Sequence, residues 1–137
     1  MGYGIAVLVL AFVVQKPETA GKADAPPAGA EATTAKLKDA RRLLRNGRYA
    51  EGEEALGAIE SAARKAPGGW TAALETELAL ERATCQVSQG EYAKARSGLK
   101  SAMAAAPKNA DLPARLAELE LARGDWDAAA VAMRQAE

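Results

Sequence analysis

The chain has 137 residues, and 18 Lys and Arg face 18 Asp and Glu, so the formal net charge is zero. That length suits one domain, and the even balance speaks against nucleic-acid binding, which needs a basic excess on the working face. Hydrophobic residues make up 49% but aromatics only 4%, so alanine and leucine must build the core, which favours helices over strands.

The chain opens on an apolar leader, residues 1–15, whose centre at residues 5–14 reads IAVLVLAFVV without a charge. A membrane-spanning helix needs roughly 20 such residues, so the run fits the apolar centre of a secretory signal peptide better. No Lys or Arg precedes it, and small-residue cleavage sites come only at Ala23-Asp24-Ala25 and Ala28-Gly29-Ala30. No cysteine lies near residue 20 to carry a lipid anchor. The expectation is export, periplasmic or secreted, or a membrane tether through residues 4–14. Residues 16–33 are rich in Pro, Ala, Gly and Thr with nothing large to bury, and are expected to form a disordered linker.

From residue 34 onward the chain repeats itself. A glycine, one polar residue and a large aromatic recur at Gly47-Arg48-Tyr49, Gly90-Glu91-Tyr92 and Gly124-Asp125-Trp126. Gly90 and Gly124 are 34 residues apart; Gly47 and Gly90 are 43 apart, nine more. Seven residues before each glycine stands Ala40, Ala83 or Ala117, and five after it stands Gly52, Ala95 or Ala129. Nine after it comes Leu56, Leu99 or Met133. Apolar residues three and four apart predict helices on both sides, each glycine ends a first helix, and the small residues let two antiparallel helices approach. The predicted helices cover 34–46, 50–66, 71–89, 92–105, 110–123 and 126–136. Pro113 falls in a first turn, where its missing amide is harmless. Pro67-Gly68-Gly69-Trp70 is a turn signal that absorbs the nine extra residues, with Trp70 expected to cap the first unit's core.

This pattern resembles the tetratricopeptide repeat, a 34-residue helix–turn–helix unit. The signature positions are Ala40, Gly47, Tyr49, Ala83, Gly90, Tyr92, Ala95, Pro107, Ala117, Gly124, Trp126 and Ala129. The units run over about 33–69, 70–109 and 110–137. The first departs from the pattern, with Gly52 and Ile59 where alanines belong, and all three lack the family's early tryptophan. The resemblance implies an all-α fold of three helix pairs stacked as a short right-handed solenoid, with a concave groove lined by each first helix. It places Thr34, Leu37, Arg41, Leu44 and Arg45 of unit one in that groove. Unit two contributes Glu77, Leu80, Thr84, Val87 and Ser88, and unit three Asp111, Ala114, Glu118, Leu121 and Ala122. The groove is expected to be mildly apolar, basic at one end and acidic at the other. A carboxylate clamp of the kind that chaperone-binding members share is not expected, because Leu37 and Arg41 stand where it needs Lys and Asn.

Catalysis finds no foothold in the sequence. There is no histidine, hence neither the commonest general base nor the commonest metal ligand, and a single cysteine, Cys85, cannot form an internal disulfide. There is no phosphate-binding glycine loop and no paired nucleophile and base. Cys85 sits mid-helix among alanines and reads as a small buried hydrophobe. No cofactor or metal is expected. The reading is therefore a non-catalytic module that binds a protein or peptide. Two alternatives stay open: the repeats precede a catalytic domain beyond Glu137 in a larger protein, or the edge of the last helix, with Val131 and Met133, mediates self-association.

Overall fold

The computed structural model describes residues 28–136, so the apolar leader and the first part of the linker lie outside the described residues. Six helices follow in order: α1 (Ala28–Arg45), α2 (Tyr49–Lys65), α3 (Ala72–Ser88), α4 (Tyr92–Ala105), α5 (Asp111–Ala122) and α6 (Trp126–Ala136). No strand occurs among the described residues. The helices pack as three antiparallel pairs, α1 on α2, α3 on α4 and α5 on α6, and each pair stacks on the next.

One boundary differs from expectation. Helix α1 begins at Ala28, so the last six residues of the expected linker, 28–33, are helical. Alanine in this stretch favours helix, Glu31 lies in the first turn where the helix dipole welcomes a negative charge, and the Thr33 and Thr34 hydroxyls donate to the carbonyls of Gly29 and Ala30 at 2.7 and 2.9 Å. The reading as linker weighed only what the segment could bury, and this extension needs no burial.

The three signature glycines make the same turn. Gly47, Gly90 and Gly124 have φ of 76°, 77° and 77°, a left-handed region that costs glycine no steric penalty. After each, the next amide reaches back five residues: Arg48 to the Leu43 carbonyl at 3.0 Å, Glu91 to Gln86 at 2.7 Å and Asp125 to Glu120 at 2.9 Å. These bonds satisfy carbonyls that the helix end would leave open. Identical turns give each pair the same geometry, which is why the units stack in register. The small residues then sit at the closest approach. Ala40, Ala95 and Ala129 are at most 1% exposed, and Ala83 and Ala117 no more than 3%.

The core falls into two clusters that share α3. Leu37, Ala40, Leu44, Leu56 and Ile59 from the first pair meet Leu78 and Cys85 of α3. Ala83 of α3 joins Ala95, Leu99, Leu112, Leu116 and Leu119 in the second cluster. Each buried leucine contributes about 1.5–3 kcal/mol of transfer free energy, so these eight leucines carry most of the stability. The position nine residues after the turn glycine reports how the units stack. Leu56 and Leu99 are fully buried there, whereas Met133 of α6 is 57% exposed. Helix α3 also touches α5, while α2, α4 and α6 make no comparable approach to one another. The second junction therefore closes on the side of α3 and α5, and this side, to which Arg41 of α1 also reaches, is the inner face.

Candidate functional site

The inner face is laced by side chains that cross from helix to helix. Arg41 of α1 reaches α3, where its Nε lies 2.5 Å from Glu81 Oε1 and its Nη2 3.5 Å from Glu77 Oε2. Arg115 of α5 reaches back to α3, donating to the Thr84 hydroxyl, and also pairs with Glu118 one turn along its own helix. Leu80 and Val87, half-buried, lean against the second core cluster, and Leu121 is 39% exposed. The face thus alternates in charge from α1 to α5, with apolar side chains set between the charged ones. These partly exposed pairs add little net stability each; their effect is to hold long side chains in fixed positions on the surface.

Most of the groove residues expected from sequence come together here: Arg41, Glu77, Leu80, Thr84, Val87, Glu118 and Leu121. Arg45 and Asp111 lie exposed nearer the ends of their helices. Leu37 and Leu44 do not belong to the face. They are 3% and 6% exposed and lie in the first core cluster. The cause is the departure of the first unit from the repeat pattern. Gly52 leaves the α2 backbone bare, and Leu44 lies against it; a Cβ built on Gly52 would stand 2.4 Å from Leu44 Cδ2. Ile59, larger than the alanine it replaces, is 3% exposed in the same core cluster as Leu37. The end of the groove expected to be basic is also partly neutralised, because Arg41 is engaged by two glutamates of α3.

Sequence reasoning missed Glu81 and Arg115. Glu81 lies four residues after Glu77 and so shares its helix face, a signal that was present. Nothing in the sequence reported that Arg115 would reach across to Thr84. A further network lies where α4 meets α5. Glu120 is 3% exposed and binds Arg96 of α4 and, at 3.3 Å, Arg123, with Asp125 3.8 Å from Arg96. Partnered on two sides, this buried carboxylate pins the second and third pairs together.

Cys85 is fully buried, its Sγ 3.3 Å from the Tyr49 carbonyl and 3.0 Å from Gln89 Nε2. Burial pushes its thiol above the ordinary value, with nearby glutamates acting the same way, so little reactive thiolate forms. No described helix is long and apolar enough to cross a membrane.

A tetratricopeptide repeat family model matches residues 86–136. Residues 86–136 thus carry tetratricopeptide-repeat sequence. The match starts at Gln86, near the end of α3, and runs through α4 and α5 to the end of α6. It therefore takes in two of the three glycine turns, and the α1–α2 turn repeats their hydrogen bonding. A search of the curated proteins found no match, and neither did a search of the solved structures. Tetratricopeptide repeats are protein–protein interaction modules as a class, and arrays of this kind present extended concave surfaces to their partners.

Proposed function

We propose that this tetratricopeptide protein is a non-catalytic binding module that holds a peptide or helix of a partner along the inner face of α1, α3 and α5. The observation that carries this reading is the set of cross-helix contacts that fix Arg41, Glu77, Glu81, Thr84 and Arg115 on one face beside Leu80, Val87 and Leu121. A surface held in this way loses little side-chain entropy when a partner docks. Its chemistry suits an amphipathic segment whose apolar side chains meet those three residues and whose charges alternate in the opposite sense. The test is site-specific photocrosslinking in the native cell. A benzophenone side chain at Thr84 should capture a protein partner, and the same group at Lys100, exposed on α4, should not. Capture from Lys100 with none from Thr84 would refute the reading.

A second reading, self-association, draws on α6. Trp126, Val131 and Met133 are 71%, 49% and 57% exposed, although the residues equivalent to Met133 in the other pairs are covered completely. Two α6 helices packed antiparallel would set Asp127 of each toward Arg134 of the other, with the apolar residues between. Sedimentation velocity across the micromolar range checks this, and a strict monomer throughout excludes it. We propose further that the apolar leader directs export or tethers the protein to a membrane. The intact mass of the native protein reports on this. A value near 14.2 kDa favours a retained tether, and a loss of roughly 2 kDa or more favours a cleaved signal.

A further inference from the structure

At one end of the second pair, where the first turn of α3 meets the α4–α5 connection, lies a hollow of about 510 Å³. Ala72, Ala73 and Thr76 line it from α3, and residues 106–109 from the connection. Alanines and Pro107 make its surface chiefly apolar. Lys108 is the one charged side chain in the lining. It takes part in none of the ion pairs among the described residues.

Thr76 is 6% exposed, yet its hydroxyl makes no hydrogen bond among the described residues. The other helical threonines, Thr33, Thr34 and Thr84, each donate to the carbonyl four residues back; Thr76 makes no such bond to Ala72. Among the described residues only Arg96 Nε is sealed from solvent without a partner. The Thr76 hydroxyl therefore keeps an opening, and the hollow that it lines supplies it. A buried polar group without a protein partner is uncommon in native structures and marks a place for a water, an ion or a ligand. The position belongs to the second pair alone. Thr76 stands 14 residues before Gly90; the same place holds Thr33 in the first pair, bonded to Gly29, and Ala110 in the third.

Further donors converge on the same end of α3. The Thr71 hydroxyl accepts from the Leu74 amide at 3.2 Å, and the Thr71 carbonyl from the Glu75 amide at 2.9 Å. The amides of Ala72 and Ala73 have no acceptor among the described residues. Such first-turn amides carry the positive end of the helix dipole, about half a unit of charge, and favour an anion. Asn109 sets its Oδ1 on the Asp111 amide at 2.9 Å, which leaves its NH₂ group to donate.

We infer that this hollow binds a small monocarboxylate that carries a compact apolar group. The Ala72 and Ala73 amides, the Thr76 hydroxyl and the Lys108 ammonium donate to the carboxylate oxygens. The alanines and Pro107 cover the apolar group. Lys108 and the helix end together match a single negative charge, and a phosphate dianion exceeds what they offset. This binding is independent of any partner on the inner face.

The probe is isovalerate, titrated into the full chain and followed by the amide NMR signals of Ala72, Ala73 and Asn109. Isovaleramide has the same shape without the charge. We expect saturable shifts with a midpoint of about 1 mM, and isovaleramide to bind at least about tenfold more weakly. Thr76→Val, which keeps the shape and removes the hydroxyl, and Lys108→Gln should each lose about tenfold in affinity. Arg41→Ala should bind as the unaltered protein does. Because the hydroxyl has no protein partner, Thr76→Val should keep or raise the urea midpoint; a clear fall would show that the hydroxyl serves the fold and would overturn the inference. Acetyl-glycyl-valine separates two sources of the carboxylate. Tighter binding than isovalerate assigns the hollow to a chain terminus, weaker binding to a free acid, and either order supports a carboxylate site. The inference fails if isovalerate gives no saturable shift by about 50 mM, if isovaleramide binds equally, or if both hollow variants bind undiminished. Tighter binding of inorganic phosphate overturns it, as does binding lost in Arg41→Ala but kept in Thr76→Val, which moves the acid to the inner face.

Discussion

Gly52 and Leu44 offer a test in which the sign of an effect reverses. A methyl group at Gly52 would lie 2.4 Å from Leu44 Cδ2 and 2.9 Å from Cγ. Comfortable carbon contacts begin near about 3.5 Å, so Gly52→Ala forces Leu44 to move by roughly 1 Å. Overpacking of this kind costs about 1–3 kcal/mol. Against it, alanine in mid-helix is worth about 1 kcal/mol over glycine. The single substitution should therefore range from neutral to destabilising by about 2 kcal/mol. Leu44→Ala alone should cost about 2–5 kcal/mol, because the side chain is 6% exposed in the first core cluster. In the Leu44→Ala background the obstruction is gone, and Gly52→Ala should now stabilise by about 1 kcal/mol. Urea denaturation followed by circular dichroism at 222 nm, a wavelength chosen on the order of the helix minimum, measures all four corners of the cycle. If Gly52→Ala stabilises equally in both backgrounds, Leu44 does not lie on the bare α2 backbone, and its removal from the inner face is wrong.

Three further outcomes follow from named contacts. Burial alone would push the Glu60 carboxyl up, but hydrogen bonds and charge from Arg64 and Arg82 outweigh it and hold the group below its ordinary value. Its contribution is thus complete above pH about 4.5, the ordinary glutamate value, and is lost as pH falls through the lowered folded value. The stability gap between the unaltered protein and Glu60→Gln, measured by urea denaturation, should be widest at neutral pH and close at lower pH; a constant gap contradicts the pairing. Arg96→Ala leaves the buried Glu120 with Arg123 alone and should cost about 2 kcal/mol, read as a fall in denaturation midpoint; an unchanged midpoint would show that the pair is idle. Native-state hydrogen exchange should find the amides of α6 opening more readily than those of α4, since α6 leaves Trp126 and Met133 uncovered; equal protection would mean that the α6 face is covered in solution.

Much of the fold was legible because the repeat signals act locally. A glycine that must adopt positive φ, small residues where helices cross, and apolar side chains at helical spacing each fix one feature within a few residues. Three copies in register then specify the stacking. Boundaries held to within about two residues, except at the start of α1, where alanine propensity acted without any burial to announce it. The binding face was legible only in part. Position in the repeat put Arg41, Glu77, Thr84 and Glu118 on one face, and the structure links them there through side-chain contacts between Arg41 and Glu77 and from Arg115 to Thr84 and Glu118. It failed for Leu37 and Leu44, whose fate depended on a side chain missing from a different helix. The reach of Arg115 to Thr84 and the burial of Glu120 depended likewise on contacts 31 and 24 residues apart in sequence, which no local pattern encodes.

Departures from the repeat pattern thus account for what is particular to this protein. Gly52 and Ile59 draw two leucines out of the inner face and into the first core cluster, leaving the α1 end of that face polar, with Arg41 as its main feature. Both glutamates that hold Arg41 belong to α3, and on its other side Arg82 of α3 pairs with Glu60 of α2. Helix α3 is therefore the common wall of both core clusters and carries the middle of the inner face. A substitution that loosens its packing, such as Leu78→Ala, should cost about 2–5 kcal/mol, because Leu78 is 1% exposed. It should weaken binding at the inner face along with the fold. A surface substitution such as Arg41→Ala on α1, by contrast, should alter the inner face alone and leave the buried edge of α3 intact.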